Sequence, residues 1–144
     1  MSILQGGDPM RLIPKRAVAL ALGAVMAAGP LAAKPALRDV AEIDNALMAI
    51  AIADEIRKTC DDINARMIKA YTTINALKSR AGALGYSDDE IEDYVTSKDE
   101  KARMRAKATA YLASQGVNAG DGASLCAFGE TQIDKGTAIG VLLR

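Results

Sequence analysis

From Cys60 to Gly85 the apolar residues Ile63, Met67, Ala70, Tyr71, Ile74, Leu77 and Ala81 recur at steps of three and four. On a 3.6-residue repeat that spacing stacks them into one stripe, so the stretch predicts an amphipathic helix that its neighbours must bury. We place this helix at the centre of the fold. Ahead of it, Ile43, Ala46, Leu47, Ile50, Ala53, Ile56 and Cys60 hold a face that Met48 and Ile52 widen. A first helix from near Val40, touched on more than one side, is the expectation. Asp61 and Asp62 are suited to cap the second helix, because carboxylates accept from the free N–H groups at the positive end of its dipole. One helix running through Cys60 is the alternative, since nothing there forces a break.

Past Gly85, Ser87 and Glu90 stand at the spacing of a capping box, with Tyr86 and Ile91 at the staple positions. A third helix therefore starts at Asp88, with Ile91, Tyr94 and Val95 inward. Thr96-Ser97-Lys98-Asp99-Glu100 offers further boxes where this helix bends or restarts. It continues to Gln115 with Ala102, Ala108, Tyr111 and Leu112 inward, and Gly116 suits a left-handed cap. The run GVNAGDG (116–122) is turn chemistry. Asp121 or Ser124 caps a short fourth helix through Cys126 and Ile133, stopped by Gly136, and the apolar run 138–143 packs at the end. The fold class this predicts is all-α, a small bundle of four main helices.

Composition agrees, because half the residues are apolar and these are mostly alanine and aliphatics, with no Trp or His and few aromatics. The start of the chain is different in kind. Arg11, Lys15 and Arg16 precede an uninterrupted apolar run from Ala17 to Ala28, followed by Gly29-Pro30 and the small-residue site Leu31-Ala32-Ala33. That is the layout of a secretory signal peptide, and a run of about a dozen residues is too short to span a bilayer. The expectation is a leader over 1–33, cleaved after Ala33 with Ala28 as second choice, Met10 as the true start, and a single helical domain over 34–144 in the periplasm. No stable membrane span remains once the leader is gone. Net charge is zero over the whole chain, and loss of the leader leaves 15 basic against 17 acidic groups.

An exported chain with two cysteines most simply pairs them, which predicts a Cys60–Cys126 disulfide. A redox-active pair is disfavoured, because there is no Cys-x-x-Cys. Without histidine the chain lacks the usual general base and zinc ligand. The carboxylates at Asp61-Asp62 and in Asp88-Asp89-Glu90-x-Glu92-Asp93 are explained by first-turn positions, and no calcium-loop pattern surrounds them. We therefore expect no catalytic, metal or cofactor residues. Lys98, Lys101, Arg103, Arg105 and Lys107 form a basic cluster suited to an acidic partner, although a solvated helix face is the commoner reading. No aromatics interleave with it for base stacking, which argues against nucleic acid.

Ile56-Arg57-Lys58-Thr59-Cys60, the start Gly85-Tyr86-Ser87-Asp88-Asp89-Glu90-Ile91, and the ending Cys126-Ala127-Phe128-Gly129 with Ile139-Gly140-Val141-Leu142-Leu143 complete the picture. With the leader, they resemble a family of small exported proteins of unknown function from marine and photosynthetic alphaproteobacteria. The resemblance implies a periplasmic, helical, disulfide-bonded fold and brings no activity with it. Two functions are expected in order: a non-catalytic periplasmic module that binds a protein or peptide of the envelope, then a periplasmic acid-stress chaperone. An enzyme ranks below both, and would need an enclosed pocket with converging carboxylates.

Overall fold

The first helix, α1 (Ala41–Thr59), carries two apolar faces and is the element the others gather around. The computed structural model describes residues 33–144. The expected leader, apart from Ala33, and the Met10 start lie outside the described residues. After α1 come α2 (Met67–Ala83), α3 (Asp88–Thr96), α4 (Lys98–Ser114) and α5 (Gly122–Lys135), with short 3-10 turns at Leu37–Asp39 and Gly140–Leu142. Five helices thus replace the expected four, because the long third one breaks at Ser97. The Ser97 hydroxyl accepts from the Glu100 N–H and starts a new helix there.

One face of α1, Ala49, Ile52, Ala53 and Ile56, packs into the main core with Ala108 and Leu112 of α4, Leu125 and Phe128 of α5, and Leu142 and Leu143. Ile52 and Ile56 have no exposed surface, and burial of each contributes roughly 1.5–3 kcal/mol. Ile43, about two and a half turns before Ile52, belongs to a second core with Leu37, Ala81, Tyr86 and Ile91. Tyr86 and Ile91 are the expected staple, and the Ser87–Glu90 box is fully formed. Asp121 caps α5 by accepting from the Ala123 N–H at 3.1 Å, and Gly136, at φ 57°, ends it in the left-handed conformation. Within α4, Ala102 faces solvent rather than the core.

The second helix corrects the expectation most. It does not begin near Cys60, and Asp61 and Asp62 do not cap it. Cys60 leaves α1 in extended conformation, and the next residues pair with the end of the chain instead. The Asn64 N–H donates to the Arg144 carbonyl at 2.8 Å, the Arg144 N–H returns to the Asn64 carbonyl at 2.9 Å, and the Arg66 N–H donates to the Leu142 carbonyl at 2.8 Å. Backbone donors that a helix would use are taken by this antiparallel contact around Ala65 and Leu143. Helix α2 therefore starts only at Met67, without a side-chain cap.

Cys60 and Cys126 are disulfide-bonded, with Cα atoms 5.6 Å apart. The bond fastens α5 to the end of α1, as the two-cysteine reading predicts. Gly129 lets α5 come close: a Cβ there would lie 2.8 Å from the Ile56 Cγ2 and 2.9 Å from the Ile63 Cδ1.

Candidate functional site

The apolar stripe of α2, expected to be buried by its neighbours, is instead largely exposed. In α2 only Ala81 is buried, while Met67, Ile68 and Tyr71 are 66%, 83% and 67% exposed and Ile74 is 39% exposed. The stripe is real, but only Leu77 and Ala81 at its C-terminal end meet the second core. Its N-terminal half overhangs α1 and leaves a trough beside it.

The floor of that trough is Leu47, Ile50, Ala51 and Asp54 of α1, where Ile50 also borders the main core. Met67, Ala70 and Ile74 of α2 form one wall. Tyr94 and Val95 of α3, with Lys101 and Met104 of α4, form the other. The lobe along α4 has a volume of about 250 Å³ and the lobe under α2 about 180 Å³, and Ile50 and Asp54 belong to both. At its other end the trough closes over Ile43, Leu77 and Ile91. It is an open apolar groove, which suits a segment of chain laid along it better than a small molecule that must be mostly enclosed.

Two carboxylates line the groove and both are already paired. Asp54 accepts from Arg57 and Lys58 on its own helix. Burial pushes the Asp54 carboxyl up, yet the hydrogen bonds from Lys58 and Arg57 outweigh it and hold the group below the ordinary carboxylate range. Glu100 is buried and pairs with Arg103 at 2.8 Å and with Arg38. Both carboxylates are thus engaged in ion pairs within the fold. Among the described residues no three His, Cys, Asp or Glu side chains are grouped as a metal site.

The basic cluster is divided by the fold. Arg103 and Lys107 turn inward onto Asp44, a buried carboxylate of α1. The Arg103 guanidinium donates to Asp44 Oδ1 at 2.6 Å and to the Tyr94 hydroxyl at 2.9 Å. Lys107 also reaches the Asn45 side-chain oxygen at 2.7 Å. Lys98, Lys101 and Arg105 remain exposed and, among the described residues, make no ion pair. Sequence reasoning did not single out Asp44. The signal available was Arg103 and Lys107 one turn apart, beside the inward Ala108, which leaves two cations needing one anion.

Burial raises the Asp44 pKa, but the hydrogen bonds and charges of Arg103 and Lys107 more than reverse this and leave it below its ordinary 3.8. A carboxyl depressed on folding contributes stability above its unfolded pKa, and that stability is lost as the pH falls through the lower folded value. Asp44→Asn should cost about 2 kcal/mol at pH 7, because it leaves two half-buried cations without their acceptor. Thermal melts of both proteins from pH 7 to pH 2 check this. The gap between them should close below pH 3.8, and a constant gap would refute the assignment.

A family model described as a family of unknown function, DUF5333, matches residues 35–144. No curated protein and no solved structure matches the chain.

Proposed function

The chain belongs to this family of unknown function, DUF5333, and from that premise we propose that it is a non-catalytic binding module of the periplasm that takes a segment of a partner protein into the α1 groove. The observation that carries the reading is the exposed apolar surface of α2, of which Met67 and Ile74 line the groove with Ile50, next to the floor residues Leu47 and Ala51. A helix that serves only its own fold buries its apolar stripe, and contiguous exposed apolar surface marks an interaction site. Export fits the disulfide, which persists in an oxidising compartment. Among the described residues no helix is long and apolar enough to cross a membrane.

The test is selection from a displayed library of helical peptides against the protein and against Ala51→Phe. Phenylalanine at this half-buried floor position fills the groove with an apolar ring, so stability should stay within about 1 kcal/mol. Selected peptides should bind the parent and lose at least tenfold on the filled variant. Peptides that bind both alike would sink the groove as the site.

A second reading, an acid-stress chaperone, draws on the Asp44 junction, where one carboxylate joins α1 to two cations of α4. Protonation, which the two cations push to a pH below the ordinary carboxylate range, would loosen that junction and widen the groove. Light scattering of an aggregating client decides it: suppression by the parent at pH 2.5 but not at pH 7, with Asp44→Asn already suppressing at pH 7, supports the reading, and full aggregation at pH 2.5 ends it.

A further inference from the structure

The charges around the groove are sorted by sign. Lys98, Lys101 and Arg105 fall at steps of three and four on one stripe of α4, the stripe on which Lys101 and Met104 line the groove. Asp99, the exposed acid of that first turn, lies on a different side of the helix. Across the groove, α2 contains no acidic residue, and Lys78 lines the closed end between Ile74 and Ala81. The two lining carboxylates, Asp54 and Glu100, each already meet two cations. The α2 and α4 rims of an apolar groove are thus positive, while the α3 part of its wall is acidic, in a domain whose overall balance is slightly negative.

The fold itself already contains one segment of the complementary kind. Helix α3 has nine residues, of which Asp88, Asp89, Glu90, Glu92 and Asp93 are acidic, and it lays Ile91 and Tyr94 into the closed end of the same trough. Its Tyr94 hydroxyl accepts from Arg103 and its Glu90 from Lys34. Beyond Thr96 that helix stops, while the floor runs on through Ile50 and Ala51 to Asp54. From Leu47 to Asp54 is about 10 Å at 1.5 Å per residue, the span from i to i+7 of a second helix laid alongside.

We propose that the groove binds an acidic amphipathic helix of a partner protein, with apolar residues at i, i+3 or i+4 and i+7 on Leu47, Ile50 and Ala51 and carboxylates against Lys98, Lys101 and Arg105. The inference rests on the binding-module reading and adds the chemistry of the partner. Apolar anchors supply the affinity, and the cationic rim supplies sign and register.

The experiment uses fluorescence anisotropy with the purified protein and two labelled peptides about four turns long. Both carry Leu at i, i+4, i+7 and i+11; one has Glu at most other positions and its twin has Lys. The acidic peptide should bind at least tenfold more tightly at low salt, and the gap should shrink as salt rises. Reversing Lys98, Lys101 and Arg105 to Glu, all at exposed positions, should invert the preference with the circular dichroism melt unchanged. Equal binding of both peptides, each blocked by Ala51→Phe, would overturn the acidic partner and leave the groove reading standing. Binding of neither would overturn both. Attachment to phosphatidylglycerol vesicles that abolishes peptide binding, or a dimer abolished by Ala51→Phe, would overturn a partner helix in favour of lipid or of a second copy.

Discussion

Reducing the Cys60–Cys126 bridge lowers the free energy of unfolding by about 4 kcal/mol, measured as the difference between urea transitions with and without a reductant. The 66-residue separation sets this scale, because the cross-link removes loop-closure entropy from the unfolded chain. A domain of this size has roughly 5–15 kcal/mol in total, so the reduced protein still folds but with a much lower midpoint. Folding survives because α5 is held by more than its sulfur: Leu125 and Phe128 are buried, and Gly129 lies against Ile56 and Ile63. Cys60→Ser with Cys126→Ser should match the reduced protein and no longer respond to reductant. In both, hydrogen exchange should speed up at Asn64 and Arg66, whose N–H bonds to the chain end depend on the same corner staying closed. Equal midpoints with and without reductant would show that the bridge adds nothing to the fold.

Local chemistry was legible and long-range pairing was not. Ser87 and Glu90 announce their capping box three residues apart, and Gly116 and Gly136 end their helices at positive φ as their residue type suggests. Such signals are written within one turn of the chain. The start of α2 is decided instead by Leu142 and Arg144, more than seventy residues downstream, which take the backbone groups of Asn64 and Arg66. Nothing near Asp61 records that competition, so two acids that look like caps sit in a turn. Periodicity found the stripe of α2 but not its surroundings, because a 3.6-residue repeat shows that a face is apolar without showing what covers it.

The groove follows from that same gap. An apolar floor was visible as the breadth of the α1 face, where Met48 and Ile52 widened a stripe already complete. Ile52 turned out to be the centre of the buried side, while Leu47 and Ile50 look into the trough. The rim was visible as five cations on α4, but sequence could not sort them. Arg103 and Lys107 are one turn apart and share Asp44, a contact across 59 and 63 residues of chain. The remaining three are free to meet an external charge because Asp44 accepts only the inner pair.

Gly140→Ala should be the most damaging of the small substitutions, at about 3 kcal/mol. A Cβ at this position would fall inside the van der Waals shells of the Gln132 carbonyl oxygen and carbon and 2.7 Å from the Ile133 nitrogen. These are backbone atoms and cannot swing aside. The Gln132 carbonyl is moreover fixed by the Gly136 and Thr137 N–H groups that close the end of α5. The turn at Gly140–Leu142 could escape only by lifting off, which would expose Ile139, Leu142 and Leu143 at roughly 2 kcal/mol each. The clash is relieved by a partial lift of this turn that gives up about half of that burial, so the urea midpoint and the m-value both fall. Two other glycines calibrate the result. Gly129→Ala meets side-chain methyls of Ile56 and Ile63 rather than backbone, so it should cost about 2 kcal/mol. Gly82→Ala, inside α2 with nothing within 4 Å, should stabilise by about 0.5 kcal/mol through the unfolded state. If Gly140→Ala proved no worse than Gly129→Ala, the close seating of the chain end on α5 would be wrong, and with it the reason α2 starts where it does.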